Sequence, residues 1–242
     1  MAGLAIRAAR RAAQRVRTFH RRRLYPWIPW WAEIRTESDV HPHAAAERGD
    51  AFEAHDTAST EFEVLNWLNA SVRALKPSAV LETGSAEGLG TIALACACAD
   101  NGSGVVHTVE VDPALCARVE RRLRSAGLSA YARVHCLPSL EFLAATAERF
   151  EIGFFDSLCE SRAEEFRLCL DRGLLTRIGV FHDTSPTRCE TLRHSPAPEV
   201  HARYREALQA LERDERCCGS MESTLSRGFV AIFVKPTRSA AA

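Results

Sequence analysis

The chain has 242 residues, 46% of them hydrophobic, which is enough to bury one α/β core with a short extension. Its 31 basic and 31 acidic residues cancel, so no global field draws nucleic acid or an acidic partner, and any charge feature is local. The nine cysteines fall mostly in apolar runs with no Cys-x-x-Cys pair, which argues against a zinc site or a disulfide framework and for buried reduced thiols in a reducing cytoplasm.

The local charge lies at the start. Residues 1–31 hold eight arginines and no acid. On a helical wheel Ala5, Ala8, Ala9, Ala12, Ala13, Val16 and Phe19 share one face and Arg7, Arg10, Arg11, Arg15 and Arg17 the other, with Tyr25, Trp27, Trp30 and Trp31 following. That outline fits weak contact with an anionic membrane surface, although an alanine-rich face buries little area and equally fits a docked or frayed extension. The arginines are not followed by the apolar run that a secretory signal needs, and no stretch is long enough to span a bilayer. The expected location is cytoplasmic, peripheral to a membrane if the basic segment binds one.

After a polar stretch over 33–57, "STEFEVLNWLNASVRAL" spaces Phe62, Val64, Leu65, Leu68, Val72 and Leu75 as a helix, with Ser59 and Thr60 as its caps and Lys76-Pro77 as its stop. "SAVLET" predicts a strand, "GLGTIALACACA" a helix, "GVVHTVEV" a strand, and 113–127 a helix capped by Asp112 with Pro113 in its first turn. "YARVHC", "FEIGFFDS" and "RIGVFHDT" predict three more strands, separated by the helical runs "SLEFLAATAERF" and "SRAEEFRLCLDRGLL". A last helix over 199–213 precedes "GSMEST" and "GFVAIFVKP". This alternation predicts a doubly wound α/β domain with its ligand site at the carboxyl ends of parallel strands. The expected boundaries are a basic extension and cap over 1–58, the α/β domain over 59–236, and a disordered tail over 237–242.

The stretch "VLETGSAEGLGTIALA" carries two overlapping glycine patterns. From Gly88 it reads G-x-G-x-x-A, a dinucleotide spacing; from Glu82 it reads E-x-G-x-x-x-G-x-G, through Gly84, Gly88 and Gly90. A dinucleotide loop needs its first glycine directly at the strand end, and there the residue is Gly84, with Ser85, Ala86 and Glu87 before Gly88. The longer spacing therefore wins on position. In it the sequence resembles the class I S-adenosylmethionine-dependent methyltransferases, and the likeness runs from about Ser59 to Pro236.

The resemblance implies a mostly parallel seven-stranded, Rossmann-like sheet ending in an antiparallel hairpin. It implies S-adenosylmethionine bound by Glu82, Thr83, Gly84, Ser85, Gly88, Gly90 and Asp156, with Glu110 taking the ribose hydroxyls and Pro138 and Ser139 beside the adenine. Asp156, His182 and Asp183, at the ends of two predicted strands, are the expected catalytic residues. Small-molecule O-methyltransferases of this superfamily hold a divalent cation at those acids, so Asp156 and Asp183 are the candidate ligands for Mg²⁺ or another divalent ion. Three routes stay open: metal-assisted catalysis, His182 as a metal-free general base, or neither. His107 and His135 alternate with apolar strand residues and read as structural. The implied activity is O-methylation of a small hydroxylated acceptor, without nucleic acid. The alternatives are a non-catalytic cofactor-binding or partner-binding relative and, less in keeping with the loop, a nicotinamide-dependent oxidoreductase.

Overall fold

The computed structural model describes residues 41–42, 53–54, 59–186, 197–225 and 227–236. The expected basic helix within 1–31, the tail over 237–242 and residues 187–196 lie outside the described residues.

Two short strands, β1 (His41–Pro42) and β2 (Glu53–Ala54), pair antiparallel ahead of the domain. The domain then alternates α1 (Phe62–Leu75), β3 (Ala79–Thr83), α2 (Leu89–Asn101), β4 (Val105–Glu110), α3 (Pro113–Ser125), β5 (Ala132–Cys136), α4 (Ser139–Ala145), β6 (Phe150–Phe155), α5 (Cys159–Asp171), β7 (Leu175–His182) and α6 (Pro198–Glu212). The hairpin β8 (Cys217–Ser223) and β9 (Phe229–Val234) closes it. The seven strands of the main sheet run in the order β5-β4-β3-β6-β7-β9-β8. Strands β3 to β7 are parallel, and β9 pairs antiparallel with both β7 and β8, the arrangement the sequence predicts.

The central strands read as unbroken apolar runs because helices cover both faces. Val80, Ile152, Phe154 and Val180 pack against α1 and α2, whereas Leu81, Phe155 and Phe181 pack against α5 and α6. The strand order reverses at β3, whose neighbours are β4 and β6, so the crevice opens above the carboxyl ends of these three strands.

Three expectations change in detail. Ser59 and Thr60 are not the caps of α1; the N-cap is Glu61, without a side-chain cap bond, because these residues are drawn into long-range contacts described below. Helix α4 stops at Ala145, well before Phe150, because Phe150 is already committed to β6 beside β7. Of the cysteines, Cys136 and Cys218 are exposed, whereas Cys96, Cys98, Cys116, Cys159, Cys169 and Cys217 are buried thiols. Asp112 does cap α3, its carboxylate accepting from the Ala114 amide at 2.7 Å. His107 and His135 stack at 5.3 Å between centroids and share a ring-nitrogen contact of 3.2 Å inside the core, as structural histidines should. Among the described residues no helix is long and apolar enough to cross a membrane.

Candidate active site

The glycine loop connects β3 to α2. Gly84 takes φ of +81° and donates its amide to Val109 O at 2.9 Å, locking the loop to β4. A Cβ on Gly84 would fall 2.5 Å from Asp156 O and 2.7 Å from Ser157 Cα, so only glycine lets the loop lie against the end of β6. Gly90, at the start of α2, faces the Glu82 carboxylate with no room for a side chain. The two glycines thus set the floor of the crevice.

The floor continues into one cleft lined by Glu82, Gly84, Ser85, Glu87, Gly90 and Phe154 on the loop side, and by Ser59, Thr60, Asp156, Arg162, Asp183 and Arg227 on the other. At the tip of β4, Glu110 is fixed by three amides, those of Ala86, Val111 and Asp112, at 2.9–3.1 Å. By lone-pair count one acceptor site remains, on Oε2, which suits a ligand hydroxyl such as one of a ribose. Ser85 Oγ is buried on the cleft wall without a hydrogen-bond partner, the kind of polar atom that a bound ligand satisfies. These residues fit S-adenosylmethionine.

Glu82 lines the floor of the cleft, and its buried carboxylate accepts the hydroxyls of Thr108, at 2.6 Å, and Thr91. Burial, helped by the nearby Asp156 and Glu110 carboxylates, raises its carboxyl to about 7 despite those donors. Thr83 donates at 2.7 Å to Glu165, a buried acid on α5, which also accepts from Ser139, so the two hydroxyls tie β3 and α4 to that helix. Pro138 is exposed at the start of α4.

At the ends of β6 and β7 the structure gathers Asp156, His182 and Asp183, together with three charged residues that sequence reading did not single out: Glu61, Arg162 and Arg227. His182 is fully buried beneath the cleft rather than facing it. Its Nδ1 meets Asp156 Oδ1 at 3.1 Å and its Nε2 meets Glu61 Oε2 at 2.6 Å. Burial lowers an imidazole, yet the Asp156, Asp183 and Glu61 carboxylates hold this one up at about 9. Such an imidazolium donates from both nitrogens. Burial likewise raises Glu61, but His182 and then Arg227 bring it down to about 2.

Asp183, whose backbone takes the left-handed φ of +60°, receives Arg227 as a fork: Nε to Oδ1 at 2.7 Å and a terminal nitrogen to Oδ2 at 3.1 Å. One Arg162 nitrogen lies 3.0 Å from Asp156 Oδ1 and 3.3 Å from Asp183 Oδ2. The remaining Asp156 oxygen accepts from Thr60 Oγ1 at 2.7 Å. Three acids therefore face two guanidiniums and an imidazolium, and the charges balance.

Asp156, His182 and Asp183 each bring a potential metal-ligand atom within 4.8 Å of the others. Nevertheless this donor set does not fit a divalent cation: every carboxylate oxygen of the two aspartates already accepts a hydrogen bond, and removing one partner of such a buried pair costs about 3–5 kcal/mol.

Residues 81–184 match a methyltransferase domain family. No curated protein matches the sequence significantly. Similar solved structures include the O-methyltransferase TomG from Streptomyces achromogenes, involved in tomaymycin synthesis and bound to S-adenosylmethionine, at 20% identity and a TM-score of 0.61 over 79% of this chain and 86% of that one. The Bacillus cereus O-methyltransferase in complex with S-adenosylhomocysteine is 19% identical, with a TM-score of 0.60 over 74% and 83% of the two chains. The S-adenosylhomocysteine-bound Podospora anserina methyltransferase PaMTH1 is also 19% identical, with a TM-score of 0.60 over 73% and 80%. The solved structures share the Rossmann-like methyltransferase fold of this chain, and the methyltransferase-domain match runs from β3 to just past the end of β7.

Proposed function

We propose that the protein transfers a methyl group from S-adenosylmethionine to an oxygen of a small hydroxylated acceptor. The observation that carries this reading is the single cleft running from the glycine loop and Ser85 to Asp156. The bound cofactor supplies a methyl group on a sulfonium, which an oxygen lone pair displaces in line. Glu110 anchors the ribose, Ser85 gives its unpartnered hydroxyl to the ligand, and Gly84 allows close approach.

The acceptor side needs a group that takes the hydroxyl proton as the new C–O bond forms. Asp156 fills that role better than His182: it lines the cleft, and its Oδ2, which accepts from Thr60, keeps a second lone pair for an acceptor hydroxyl. His182, with both nitrogens directed at carboxylates, orients Asp156. Asp183 is held by arginines and positions the end of β7. The solved relatives described as O-methyltransferases support oxygen as the accepting atom.

The test is calorimetric titration with S-adenosylmethionine and, separately, with NAD, followed by product formation on a panel of hydroxylated acceptors. Binding of the first cofactor alone and methylation on oxygen are expected. NAD binding would move the protein to a different chemistry, and cofactor binding with no product on any acceptor would support a non-catalytic relative.

A further inference from the structure

We infer that Arg162 and Arg227 occupy the place of a divalent cation, so that the acids at the ends of β6 and β7 are held by guanidinium and methyl transfer proceeds without metal. The activity half of this inference rests on the function proposed above; the metal half does not.

The geometry of Arg162 carries it. A cation between two carboxylates draws one oxygen from each, and one Arg162 nitrogen does the same, at 3.0 Å from Asp156 and 3.3 Å from Asp183. Arg227 then closes the outer side of Asp183 with its fork. Neither arginine is a surface side chain that has swung in. Both are 4% exposed, and their other nitrogens are spent on backbone carbonyls. Arg162 donates to Ser157 O at 2.8 Å and to His182 O at 2.5 Å, and Arg227 donates to Ser59 O at 2.8 Å.

A metal entering here would have to expel two guanidiniums from positions that the backbone itself fixes, and it would meet their charge at close range. A guanidinium keeps its proton in proteins, so this obstacle does not lift with pH. The acids consequently stay oriented with no ion to recruit, and Asp156 is left as the proton acceptor.

The experiment is a titration of the full chain, stripped with a chelator, with MnCl₂, followed by calorimetry and by the electron paramagnetic resonance of free Mn²⁺. The expected result is no saturable binding, together with methyl transfer unchanged by chelator. One-to-one Mn²⁺ binding that Asp156→Asn removes, or activity that chelator abolishes and Mn²⁺ restores, would overturn the inference.

A second variant tests the cause. With Arg162→Gln and Arg227→Gln combined, the acids face one another without guanidinium, and Mn²⁺ affinity should rise by at least about tenfold. If that variant folds by circular dichroism and still takes no more Mn²⁺ than the parent, the guanidiniums are not what keeps the ion out. If it does not fold, the parent titration decides alone. S-adenosylmethionine binding is measured on the same parent sample, so failure of the cofactor reading shows separately from failure of the metal one.

Discussion

Replacing Glu82 by Gln should reshape the pH dependence of stability. Glu82 is 1% exposed at the end of β3, and burial raises its carboxyl from 4.5 to about 7. Below the unfolded value both states hold the proton and the group costs nothing. As pH rises through the folded value, the unfolded chain has already released its proton and the folded chain must ionise a buried acid, so the stability is lost. A shift of about 2.5 pH units at 1.36 kcal/mol each gives a total of about 3 kcal/mol, most of it between pH 5 and pH 8. The Glu82→Gln variant is neutral throughout, and its amide oxygen still accepts from Thr108 and Thr91. Any constant packing difference cancels when the variant-minus-parent stability at pH 5 is subtracted from that at pH 8. The assay is urea unfolding at both pH values, where a slope of about 2–3 kcal/mol per molar converts the expected difference into a midpoint shift of about 1 M in favour of the variant at the higher pH. Equal midpoint differences at the two pH values would show that Glu82 is ionised in the fold and that the reasoning from burial is wrong.

Glu110→Ala should weaken S-adenosylmethionine binding by about 1.5–3 kcal/mol in calorimetry, through lost charged hydrogen bonds, and an unchanged affinity would remove Glu110 from the ribose site. Gly84→Ala should destabilise the fold by about 2–4 kcal/mol, combining left-handed backbone strain with the overlap against β6, and thermal unfolding measures it directly. A chain beginning at Glu33 should bind the cofactor as the full chain does, because the loop and Glu110 follow Ser59; loss of binding by a folded truncation would place the basic segment in the site.

The parts of this molecule that were legible in its sequence are those encoded locally. Apolar runs bounded by glycine and proline gave the strands, because a strand covered on both faces must be apolar throughout. The position of Gly84 against the end of "AVLET" chose the loop type, because that choice depends on a few adjacent residues. Glu61, Arg162 and Arg227 could not be read in this way. Arg162 stands in a charged helical run that resembles a solvated face, and Arg227 in a short turn. Their partners lie far along the chain: Glu61 Oε1 accepts the Arg227 amide across 166 positions. His182 was visible as a polar residue at a strand tip, but only the fold reveals that its ring points down between two acids rather than out to an acceptor. Ser59 and Thr60 gave a genuine capping signal that tertiary contacts override.

The contact between Arg227 and the Ser59–Glu61 segment also sets an order of assembly. Arg227 reaches Ser59 O and Asp183 from the turn between the last two strands, so the balancing charge for Asp183 and Glu61 arrives only after nearly the whole domain has been synthesised. Until then a nascent chain carries Glu61, Asp156 and Asp183 against Arg162 and His182 alone. Parallel strands whose pairing depends on distant segments form slowly, and an unneutralised cluster of acids disfavours early burial of the strand ends. Closure of the candidate cleft is therefore tied to completion of the C-terminal hairpin, and a truncated chain lacking that hairpin would lose a strand pair and the clasp over the acids beneath the cleft in one step.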